Sequence, residues 1–100
     1  MENMYKRVLC KSGFSMSVQA HFGAYCSPRT DNAESYNEVE VGFPSSVEPL
    51  LMEWCDNKED PTGSVYGYVP VQVVTNVIAK HGGMVDGAAP PGVIQLWWDE

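Results

Sequence analysis

One hundred residues, with six Lys and Arg against thirteen Asp and Glu for a net charge of −7, and with 44% hydrophobic residues, have the composition and length of one globular domain. Half the chain would be too short to bury a core of its own, so 1–100 is read as a single domain, and the hydrophobic content excludes a disordered polymer. There is no run of about 18 apolar residues to span a bilayer and no apolar N-terminal stretch of signal-peptide length, which excludes a helical membrane protein and points to the cytoplasm.

In chain order, Tyr5 to Cys10 and Phe14 to Ala20 are β-prone runs joined by Lys11-Ser12-Gly13, a connection of hairpin length. In the second run Phe14, Met16, Val18 and Ala20 alternate with Ser15, Ser17 and Gln19, the period of two of a strand with one buried face. His21 to Arg29 contains Gly23, Ser27 and Pro28 and reads as a loop, followed by a polar excursion over Thr30 to Ser35. Tyr36 to Phe43 alternates again, placing Val39, Val41 and Phe43 on one face and Glu38 and Glu40 on the other.

Pro44-Ser45-Ser46 stops that strand, and Ser45 with Glu48 matches a capping box ahead of Leu50, Leu51 and Trp54, the mark of a short helix or turn. Asp56 to Gly63 is rich in turn residues, and Val65-Tyr66-Gly67-Tyr68-Val69 returns to β-prone chemistry, with Gly67 marking a close approach by backbone or ligand. Pro70 suits a first helical position and Gly82-Gly83 a stop. Between them Val71, Val73, Val74, Val77 and Ile78 share one face, and Gln72, Thr75, Asn76 and Lys80 share the other. Residues 84–92 read as a linker to a C-terminal strand or tail at Val93 to Trp98. The expected fold is α+β, an antiparallel sheet of three to five strands with one principal helix packed on one face.

Cys10, Cys26 and Cys55 are odd in number and lack C-x-x-C spacing, which indicates free thiols rather than a disulfide framework. With His21 and His81 they match no zinc spacing, so no metal or other cofactor is expected. Cys26 and His21 could imitate a thiol with its base, but five residues of separation across a loop set no geometry, and a buried thiol beside a surface histidine is the favoured reading. No phosphate-loop, dinucleotide, zinc-protease or nucleophile-elbow motif occurs, and no catalytic residue is assigned; a non-enzymatic role is expected.

Charge is unevenly spread. Residues 31–60 hold nine carboxylates against Lys58 alone, a field that repels phosphates and excludes direct nucleic-acid binding, yet complements a basic protein surface. Glu34, Glu38, Glu40, Glu48 and Glu53 are candidates for such an interface. Trp98 joins them as an anchor, because alternation at Trp97-Trp98 sends one ring outward. A second constellation is Tyr25, Ser27 and Arg29, where a guanidinium fork and a hydroxyl can grip an anion, with Tyr66 and Tyr68 able to stack a base. The competing reading pairs Arg29 with a neighbouring acid and leaves both tyrosines bracing the sheet.

The stretches Cys10 to Ala20, Tyr25 to Arg29, Val39 to Ser45 and Val65 to Pro70 resemble small proteins encoded by bacteriophages and prophages. That resemblance implies an accessory protein acting in a bacterial host cell, binding a host protein, including a basic nucleic-acid-binding defence factor, through the acidic region. The alternative it implies is capture of a nucleotide-like or anionic signal molecule. An exposed edge strand or tryptophan would also offer a surface for a homodimer.

Overall fold

A computed structural model describes residues 4–100. Five strands form an antiparallel sheet: β1 (Val8–Cys10), β2 (Ser15–Gln19), β3 (Glu38–Gly42), β4 (Val65–Pro70) and β5 (Met84–Asp86), in spatial order β4-β3-β2-β1-β5. One α-helix, α1 (Val71–Lys80), packs against it, and short 3-10 helices span Pro49–Trp54 and Pro61–Gly63. The fold is therefore α+β.

The hairpin forms where Lys11-Ser12-Gly13 predicts it, closed by Cys10 N–H to the Phe14 carbonyl and Gly13 N–H to the Cys10 carbonyl. Period-two alternation sends Phe14, Met16, Val18, Ala20, Val39 and Val41 into the core. Phe43 departs from that pattern. It lies beyond β3 at a φ of 51°, half exposed, and its carbonyl accepts a 2.6 Å hydrogen bond from Arg7. The polar excursion is tied down by Tyr36, buried before β3, whose hydroxyl donates to the Thr30 carbonyl at 2.6 Å.

Pro70 is the last residue of β4 and the N-cap of α1, one position earlier than expected. At the other end the Gly83 N–H reaches the Ile78 carbonyl and the Gly82 N–H the Ala79 carbonyl, a Schellman closure that needs the left-handed φ of 90° at Gly82. The helix buries Val74, Thr75, Val77 and Ile78. Thr75, expected on the polar face, is buried, and its Oγ1 accepts the Ile94 N–H at 3.1 Å, so the C-terminal segment touches α1 at this position.

The linker expected over 84–92 begins later. Met84–Asp86 pairs antiparallel with β1 as the edge strand β5, and the chain from Trp97 then returns alongside it in parallel through a bridge to Met84. The expected inside-outside alternation of the two tryptophans fails: Trp97 is 52% and Trp98 40% exposed, since a single bridge leaves both rings outside the core.

Candidate functional site

Strand β4 is a sheet edge, and its middle is irregular. Val39 faces Val69 and Val41 faces Tyr66, so Gly67 and Tyr68 together oppose Glu40 in a β-bulge. The extra residue allows Tyr66 and Val69, three positions apart, both to enter the core. It also separates the two tyrosines that strict alternation would place on one face: Tyr66 is fully buried with its hydroxyl on the Pro61 carbonyl at 2.7 Å, whereas Tyr68 projects outward at a φ of 56°. Burial pushes the Tyr66 phenol well above its ordinary range, with the neighbouring Cys55 thiol adding to the effect.

Two segments dock on the free edge of β4. At one end Cys55 bridges Tyr66 and the Asp56 N–H donates to the Val65 carbonyl at 3.0 Å; at the other the Tyr68 N–H donates to the Tyr25 carbonyl at 3.0 Å. The loop carrying Tyr25 is further fixed by its N–H on Glu40 Oε1 at 2.9 Å. Between the two lies Gly67, where a Cβ would come within 3.2 Å of the Tyr25 Cβ, so the close approach marked by this glycine is made by Tyr25.

The gap is an open groove of about 530 Å³, lined by Val65, Gly67 and Tyr68 of β4, by Tyr25, and by the run Glu53-Trp54-Cys55-Asp56. The Tyr25 and Tyr68 ring centroids are 6.0 Å apart, inclined at 40°, and both residues are about half exposed. Glu53 and Asp56 form no ion pair among the described residues. Local sequence accounts for the 53–56 run. Pro49 starts a 3-10 helix at a position where its missing N–H is harmless, Leu51 buries, and Trp54 and Cys55 are drawn in beside β4 while Glu53 and Asp56 stay in water.

The expected acidic interface is divided by the structure. Glu53 lines the groove, and Glu40 touches it only through Tyr25. Glu38 is half-buried on the face of β3 opposite the core, and Glu34 is exposed on the 30–35 excursion. Glu48 is not on the surface at all. It is 1% exposed, caps the 3-10 helix through the Leu50 N–H at 2.8 Å, and pairs with Lys80 at 2.9 Å and His81 at 2.6 Å. Burial alone would raise its carboxyl pKa, but hydrogen bonds from the Leu50 amide, Lys80 and His81 outweigh that and hold it below the usual carboxylate range. The capping box expected from Ser45 is replaced by Glu48 itself; the Ser45 hydroxyl instead accepts the Ser15 N–H at 2.9 Å. Trp98 lies under the Lys11 ammonium, 4.3 Å from its ring centroid.

The expected anion grip also comes apart. Tyr25 and Tyr68 meet in the groove, but Tyr66 is in the core, and Ser27 and Arg29 do not line the groove. Arg29 donates to the Phe22 carbonyl at 2.9 Å with its guanidinium 5.5 Å from the Tyr25 ring centroid. No acid holds it among the described residues. The Cys26 thiol contacts the backbone carbonyl of His21, not its ring, which instead accepts the Gly23 N–H. Among the described residues no three metal-ligating side chains cluster, and no helix is long and apolar enough to cross a membrane.

Trp54 and Asp56 were not marked by the sequence as site residues. The available signal was an aromatic side chain flanked by acids at Glu53-Trp54-Cys55-Asp56, close in sequence to the Gly67 strand. Comparison with protein-family models, curated proteins and solved structures finds no match to this chain.

Proposed function

We propose that this protein is a binding module that seats a cationic side chain of a basic partner protein in the groove along β4. The observation that carries the reading is the convergence of two half-exposed tyrosines with the carboxylates of Glu53 and Asp56, which form no ion pair among the described residues, around one concavity. Aromatic faces attract cations through their quadrupole, by about 0.5–1 kcal/mol each at exposed sites, and carboxylates complete the charge complement. Arginine fits better than lysine, because its planar guanidinium stacks on rings and forks onto carboxylates. Arg29 beside Tyr25 is an internal example of the same pairing.

The groove's own acids disfavour an anionic or nucleotide-like ligand, and the one nearby arginine does not line it. The resemblance to phage and prophage proteins makes a basic, nucleic-acid-binding host protein, including a defence factor, the partner class to test first. Titration with an arginine-rich peptide, followed by the backbone amide signals of Gly67 and Tyr68, tests the reading. Saturable shifts at these amides are expected, with affinity weakened about two- to fivefold by Tyr68→Ala and diminished by salt, while an acidic peptide of equal length gives none. Saturable shifts confined to other surfaces, or equal shifts with the acidic peptide, would refute it.

A further inference from the structure

The buried Glu48 belongs to a chain of contacts that reaches the surface away from the groove. His81 Nε2 is 2.6 Å from Glu48 Oε1, and His81 Nδ1 is 3.0 Å from the hydroxyl of Ser12, exposed in the β1–β2 turn. The imidazole is stacked on Phe14 with centroids 4.2 Å apart and planes 15° off parallel, which fixes its orientation toward both partners. We propose that Ser12, His81 and Glu48 form a nucleophile, base and orienting carboxylate, and that Ser12 accepts acyl groups from esters with good leaving groups.

Hydrogen-bond accounting sets the protons. The Phe14 N–H donates to Ser12 Oγ at 3.2 Å, occupying a lone pair and leaving the hydroxyl hydrogen for His81 Nδ1. The imidazole proton then sits on Nε2, directed at the ionised Glu48, whose second oxygen is held by Lys80. This is the tautomer a general base needs. Ser12 Oγ bonds to the acyl carbon as its proton passes to Nδ1; the carbon–oxygen bond to the leaving alkoxide breaks as Nδ1 returns that proton to it. Water then attacks the acyl-serine in the same way, giving its proton to Nδ1, and Ser12 leaves with it, so the net reaction is ester hydrolysis.

The turn also limits the substrate. The Ser12 N–H is committed to the His81 carbonyl and the Gly13 N–H to the Cys10 carbonyl, so neither is free to cradle a developing oxyanion. Activated esters, which need little such help, are within reach; amides are not.

Exposed Ser46, with no side-chain hydrogen bond among the described residues, is an internal reference in the same chain. After brief exposure of the full chain to p-nitrophenyl acetate, peptide mass spectrometry should find Ser12 acetylated about 100-fold faster than Ser46, the scale of general-base assistance. In His81→Gln, Ser12 should fall to the Ser46 rate, and Ser12→Ala should lose the fast p-nitrophenol release. Glu48→Gln should lower the Ser12-to-Ser46 ratio even where far-ultraviolet circular dichroism shows the fold retained. Unfolding would also equalise the two serines, so the ratio is read on variants whose circular dichroism matches that of the native chain. Acetylation of Ser12 at the Ser46 rate, acetyl found on His81 instead, or a ratio unchanged by His81→Gln would overturn the assignment.

Discussion

Replacing Glu48 with alanine tests how much one buried charge holds together. The carboxylate receives three hydrogen bonds, from Leu50 N–H, Lys80 Nζ and His81 Nε2, at 2.8, 2.9 and 2.6 Å, and is 1% exposed. Loss of the cap on the 3-10 helix costs about 1 kcal/mol. Loss of the partner to the mostly buried His81 adds about 1.5–3 kcal/mol. Lys80, with its side chain 45% exposed, regains water and contributes less than about 1 kcal/mol. The total is about 3 kcal/mol, which for a domain of this size lowers the melting midpoint by on the order of 10–20 °C. Urea denaturation followed by circular dichroism reads the change directly, and Lys80→Met serves as the small-effect control. Acid sharpens the test. A carboxyl whose folded pKa is depressed stabilises fully above its unfolded pKa of about 4.3 and loses that contribution as pH falls through the lower folded value. The gap between the native chain and Glu48→Gln should therefore be at its full width near neutral pH, begin to narrow only below about pH 4.3, and vanish only once pH has fallen through the lower folded value. A loss under about 1 kcal/mol for Glu48→Ala, or a gap independent of pH, would refute the reasoning.

Gly67→Ala forces a Cβ to within 3.2 Å of the Tyr25 Cβ; a displaced Tyr25 amide in NMR spectra and weaker binding of an arginine-rich peptide are expected, with stability reduced by about 1 kcal/mol. Thr75→Val removes the acceptor of the Ile94 N–H, and hydrogen exchange at Ile94 should accelerate while global stability falls by about 1 kcal/mol. Tyr66→Phe strands the Pro61 carbonyl, with a similar cost by urea melt and faster proteolysis in the 56–63 loop.

Local signals carried most of the fold. The alternation through Phe14, Met16, Val18 and Ala20 marked β2 and its buried face, and the Pro70 and Gly82-Gly83 boundaries placed α1 within a residue. Strand β5 escaped because three residues between glycines are too few to show a period. Glu48 escaped for a different reason: its burial is decided by Lys80 and His81, 32 and 33 positions away, and no local pattern distinguishes it from the exposed Glu53. The groove is assembled from three separate segments, around Tyr25, around Trp54 and along β4, so its tyrosines were legible as residues but their grouping with carboxylates was not.

The bulge opposite Glu40 also bears on how this chain can vary. Deleting either Gly67 or Tyr68 would restore even pairing and rotate one end of β4 by half a turn, exposing Tyr66 or Val69 to water and driving a neighbour inward. Here residue count is under stricter constraint than residue identity: substitutions at position 68 should be tolerated by the core, whereas a one-codon deletion should not. The same odd residue that turns Tyr68 outward thus protects the spacing on which the interior depends.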